Sequence, residues 1–179
     1  MFLWKAGVAV TEPIAQATLA FDASYYGLWM QTGAIVASAI GVYFTVRWSK
    51  IVACRRATLD IVLSEETDPT HVDQRTEFVK LREKGHLSQY ADPENTTGKE
   101  ASLIRAILNR YELVAIGIFA GTLDEKSYKR WCRTTLVKDW KCVKPFVVQL
   151  REQSETPTLY CEMEKLAKRW ATKVEKPHL

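Results

Sequence analysis

Four carboxylates stand inside the most distinctive stretches of the chain: Asp60, Glu112, Asp124 and Asp139. Two carboxylates facing one cleft can divide acid and base roles between them. Their neighbours argue for structural roles instead. Asp124 and Glu125 read as the first turn of a helix, where negative charge suits the helix dipole. Asp139 follows Lys138 and reads as solvated. Glu112 lies among apolar residues with Arg105 and Arg110 nearby, so the expectation is a buried Glu112–Arg pair that fixes helix packing. Cys132 could be a nucleophile only as a thiolate with a base beside it. No histidine is near it in sequence, and beside Trp131 within a helix it reads as core.

Metal and phosphate chemistry find no pattern. Cys54, Cys132, Cys142 and Cys161 include no C-x-x-C pair, and His71, His86 and His178 have no ligand spacing to them. There is no glycine-rich phosphate loop, no G-x-S-x-G and no H-E-x-x-H. No catalytic residue, metal or cofactor is therefore expected. Glu112 and Asp124 are the first residues to test if the chain is an enzyme.

Binding chemistry has more to work with. Cations and aromatics mix along 128–144, from Tyr128, Lys129, Arg130 and Trp131 to Lys144. Stacking aromatics beside phosphate-pairing cations suit nucleic acid. At helical spacing, however, the aromatics turn inward and the cations outward, so an anionic leaflet or an acidic protein is the better partner and nucleic acid is not expected. Gly33, Ala37 and Gly41 recur every four residues, a spacing that lets helix backbones approach within a membrane.

The elements that must position these residues begin with a span. Residues 23–46 carry no charge, and about 20 apolar residues suffice for a helix to cross the hydrocarbon core. Tyr25, Tyr26 and Trp29 lie at one end, and Tyr43, Phe44 and Trp48 at the other, as membrane interfaces favour. Arg47, Lys50, Arg55 and Arg56 follow it closely, whereas Lys5, Glu12 and Asp22 precede it. This juxtamembrane basic cluster predicts an extracytoplasmic N-terminal tail, residues 1–22, and a cytoplasmic domain, residues 47–179. Beyond residue 46 there remain 24 Lys+Arg against 19 Asp+Glu, out of 25 and 21 in the whole chain. That mild excess excludes an acidic tail and is too dilute to argue for nucleic acid alone.

The body reads as all-α, a cytoplasmic bundle of about five helices. The spanning helix should continue to Ser64–Glu66. Asp68-Pro69 starts the next helix, which ends near Gly85, and residues 86–97 form a loop. Thr97-Gly-Lys-Glu100 is a capping box. The helix after it is apolar all round from Leu113 to Ala120, which predicts the centre of the core, and Gly121 stops it. Thr122-Leu-Asp-Glu125 is a second capping box. Pro145 should break or kink the following run, and Thr156-Pro157 starts a last helix.

These motifs in order resemble one bacterial family. They are Arg55-Arg-Ala-Thr-Leu-Asp60, Leu108-Asn-Arg-Tyr-Glu-Leu-Val-Ala-Ile-Gly-Ile118, Leu123-Asp-Glu125, Tyr128-Lys-Arg-Trp131, Val137-Lys-Asp-Trp140, Lys144-Pro-Phe146, Pro157-Thr-Leu-Tyr160 and Leu166-Ala-Lys-Arg-Trp170. Over residues 51–171 the chain is similar to domain of unknown function 4760. The resemblance implies a membrane anchor before a helical cytoplasmic domain. It implies no activity, cofactor or catalytic residue.

The resulting expectation is a single-pass inner-membrane protein that acts as a non-enzymatic interaction or assembly module, by self-association or with another membrane protein. The alternatives are a membrane-disrupting or defence effector triggered by clustering, and an enzyme with an unrecognised helical site.

Overall fold

A computed structural model describes residues 11–172, with side chains from residue 25 onward. It contains five α-helices: α1 (Thr11–Thr67), α2 (Pro69–Lys84), α3 (Lys99–Phe119), α4 (Glu125–Gln153) and α5 (Cys161–Trp170), with a short 3-10 turn at Leu87–Ala91. No strand occurs among the described residues. The chain divides into two compact units, Met1–Lys50 and Ile51–Leu179, four residues later than the expected start of the body.

The first unit is helix wherever it is described. One helix among the described residues is long and apolar enough to cross a membrane, with a mean hydropathy of 1.3. Its few hydroxyls turn back on the backbone: Thr32, Ser38 and Thr45 donate to the carbonyls of Leu28, Ala34 and Gly41 at 2.8, 2.8 and 2.9 Å. Each of these three hydroxyls is thereby satisfied within its own helix. The expected tail is in part helix, since residues 11–22 belong to α1; residues 1–10 lie outside the described residues.

The second unit is a bundle whose turns are set by local chemistry. The Asp68 carboxylate accepts from the Thr70 amide at 2.8 Å and Pro69 is the first helical residue. Gly85 ends α2 at φ 74°. The first expected capping box does not form. The turn before α3 closes on itself, with Asn95 N donating to Asp92 O and Gly98 N to Asn95 O, which leaves Thr97 outside and makes Gly98 the cap.

The second capping box is replaced by a division of labour. Gly121 at φ 68° closes α3 with two reversed bonds, Thr122 N to Gly117 O and Gly121 N to Ile118 O, the Schellman arrangement. The Thr122 hydroxyl also serves α3, donating to Gly117 O. Asp124 caps α4 instead, accepting from the Ser127 amide at 3.1 Å. A β-carbon at Gly117 would come within 2.7 Å of the Leu123 side chain, so Leu123 packs into the space that glycine leaves.

Pro145 does not interrupt α4. It is exposed, as is Lys141, whose carbonyl loses its ladder partner, while Val143, Phe146 and Val147 pack on the buried side. The missing bond therefore faces water and the packing keeps the axis helical. The last helix begins at Cys161, not at Thr156-Pro157. Arg151 Nε donates to Leu159 O and Tyr160 Oη to Asn109, and these tertiary bonds hold the preceding segment as a turn.

The core gathers Phe78, Ile104, Leu108, Leu136, Trp140, Phe146, Met163, Leu166 and Trp170. The C-terminal half of α3 is not its centre, contrary to expectation. Val114, Ala115 and Ile118 are buried, but Leu113, Ile116 and Phe119 are 69%, 48% and 41% exposed. Only one side of this helix is covered, so an all-round apolar sequence leaves an open apolar stripe.

Candidate functional site

Helical spacing brings one face of each of three helices together. His71, Arg75 and Arg82 lie at steps of four and seven on α2. Arg110 and Tyr111 lie three and four residues after Ile107 on α3, and Thr135 and Asp139 three and seven after Cys132 on α4. Glu65, near the end of α1, closes the group.

At its base is Asp139, which is 0% exposed. The expectation that it is solvated is wrong: Lys138 faces water, and the next residue along a helix turns about 100° away. The carboxylate is gripped from three sides. Arg75 reaches Oδ2 at 2.7 Å, the Tyr111 hydroxyl donates to Oδ2 at 2.9 Å, and Arg82 bonds Oδ1. Arg75 also donates to the Tyr111 oxygen at 2.9 Å. A lone buried carboxylate costs several kcal/mol of desolvation, so this clamp is what permits it. Burial, and then the charge of Asp139, push the Tyr111 phenol well above its ordinary range, so Tyr111 stays a donor.

Above the clamp lies a cavity of ≈ 180 Å³. Trp131, 38% exposed, stands at its rim. Glu65 is half-buried, and its Oε1 is shielded from water with no hydrogen-bond partner. Burial raises the Glu65 carboxyl, against the opposing pull of Arg110, Arg75 and His71. Arg110 donates to Gln74 Oε1 at 3.1 Å. Burial pushes the Cys132 thiol up to about 12, so it is protonated at neutral pH and is no nucleophile. Among the described residues no group of three His, Cys, Asp or Glu side chains could hold a metal ion. The arrangement suits binding of a polar molecule.

The profile described as Domain of unknown function (DUF4760) matches residues 32–170. The chain belongs to this family. The DUF4760 match starts inside the uncharged run and ends at Trp170, and so includes most of that run together with the bundle. Neither a curated protein nor a solved structure matches the chain.

In this DUF4760 chain the expected Glu112–arginine pair is not formed. The two Glu112 oxygens accept from the amides of Glu162 and Met163 at 3.1 and 2.7 Å, so α3 caps the N-terminus of α5, whose own cap residue Tyr160 makes no side-chain capping bond. Arg110 turns to Gln74, and Arg105 is half-buried near Tyr160. Gly33, Ala37 and Gly41 lie on an exposed helix, and nothing lies within 4 Å of a side chain built at either glycine. Arg47, Lys50, Arg55 and Arg56 are all exposed. Sequence reasoning missed Glu65, Arg75 and Arg82 altogether. The signal available was the seven-residue step from Arg75 to Arg82, which matches the step from Cys132 to Asp139.

Proposed function

We propose that this protein is a single-pass membrane protein, N-terminus outside and bundle in the cytoplasm, that works as a non-enzymatic interaction or assembly module in a bacterial inner membrane. The observation that carries the reading is the open apolar stripe of Leu113, Ile116 and Phe119 along one side of α3. Contiguous exposed apolar surface is a common mark of a protein contact. The small-residue face of Gly33, Ala37 and Gly41 supports a second contact within the bilayer, and the exposed cations after the span support the orientation. The partner is a second copy or another membrane protein, with anionic inner-leaflet lipid beside it.

The test is the mass of the full-length chain solubilised from its native membrane, with co-purifying proteins identified by mass spectrometry. A discrete assembly is expected, weakened by Leu113→Ser with Ile116→Ser and by Gly33→Leu with Gly41→Leu. A lone monomer, with neither variant changing its mass, overturns the reading.

A further inference from the structure

We infer that the cavity between the end of α1 and helices α2, α3 and α4 binds a small zwitterion, its ammonium donating to Glu65 and its carboxylate accepting from Arg110. The inference goes beyond the reading as an interaction module and does not depend on it.

Size comes first. The cavity of ≈ 180 Å³ is smaller than the ~300–1,000 Å³ of sites for drug-sized ligands, so the occupant is of amino-acid size. Charge comes second. Around the cavity and its floor stand the guanidiniums of Arg75, Arg82 and Arg110 and the carboxylates of Glu65, Glu66 and Asp139. His71 lines the cavity as well; among the arginines and carboxylates the two signs are equal in number, so a molecule carrying both signs can find a partner for each.

The position of the uncommitted groups sets the polarity. Arg75 and Arg82 are committed to Asp139. Glu65 Oε1 is buried and unpartnered, and a buried acceptor without a donor is costly. An ammonium supplies that donor. Arg110 bonds Gln74 through one terminal nitrogen, and a guanidinium has five N–H groups in a fork that fits a carboxylate. Ile107 and the Trp131 ring supply apolar wall for a short side chain.

Three probes on one carbon chain separate the contributions. L-norleucine has both charged groups, pentylamine only the ammonium and hexanoate only the carboxylate. Each is added at millimolar concentration to the detergent-solubilised full-length chain, with thermal unfolding and tryptophan fluorescence as readouts. L-norleucine should raise the unfolding midpoint more than either partial probe. Glu65→Gln and Arg110→Gln should each weaken its binding at least tenfold, and Lys141→Gln, on the exposed face of α4, should leave it unchanged. The inference is overturned if folded wild-type protein does not respond to L-norleucine, if either partial probe binds equally well, or if Glu65→Gln binds unchanged. The probe comparison on wild-type protein stands even where a variant fails to fold.

Discussion

Asp139 is the buried charge that ties α2, α3 and α4 together. A carboxylate with 0% exposure survives only through its two guanidiniums and the Tyr111 hydroxyl. Removing one member of a buried pair leaves the other charge uncompensated, at about 3–5 kcal/mol. Asp139→Ala should lose that much stability in chemical denaturation of the solubilised chain, because it strands two arginines. Arg75→Met should lose less, because Arg82 still neutralises the carboxylate. Glu65 predicts a pH dependence of opposite sign to that of an ordinary paired carboxylate. Its folded-state value is raised above 4.5 by burial, so the folded chain holds that proton more tightly than the unfolded chain. Its contribution is complete below about 4.5 and is lost as pH rises through the raised value. Glu65→Gln, measured against wild type from pH 4 upward, should therefore gain relative stability as pH increases; a constant difference would refute the assignment.

At the scale of elements, the joints are more informative than the helices. Gly121 sits at φ 68°, where a β-carbon is strained, and Gly121→Ala should cost about 1 kcal/mol in the same denaturation experiment. The cap that α3 supplies to α5 is a tertiary contact serving a local need. Glu112→Ala removes a charged acceptor from two amides, and a charged hydrogen bond contributes roughly 1.5–3 kcal/mol. The loss should appear first as faster amide exchange at Glu162 and Met163, before global unfolding. Neither Glu112 nor Asp139 could be assigned from local pattern, because each has neighbours in sequence that suggest one partner and a helix face that presents it to another.

At the scale of the whole molecule, orientation is the testable property. Positive residues just beyond a span hold that side in the cytoplasm. Replacing Arg47, Lys50, Arg55 and Arg56 by serine should produce a mixed topology, read by a reporter fused to the C-terminus that is active only outside the cytoplasm. Reporter signal unchanged from wild type would mean that other features set the orientation.

What the sequence determines by itself is whatever depends on near neighbours. The uncharged run from 23 to 46, the Asp68-Pro69 start, the stops at Gly85 and Gly121 and the all-α class are each decided within a few residues by hydropathy, backbone freedom or a missing donor. The ordered motifs likewise carry the family. Tertiary structure alone decides what depends on which face meets which. It buries Asp139 beneath Arg75 and Arg82, leaves Leu113, Ile116 and Phe119 uncovered, carries α4 through Pro145 and hands the α5 cap to Glu112. The physical reason is that burial and pairing are properties of surfaces brought together over distance. A helix periodicity states which residues share a face, but only the packed bundle states what that face touches.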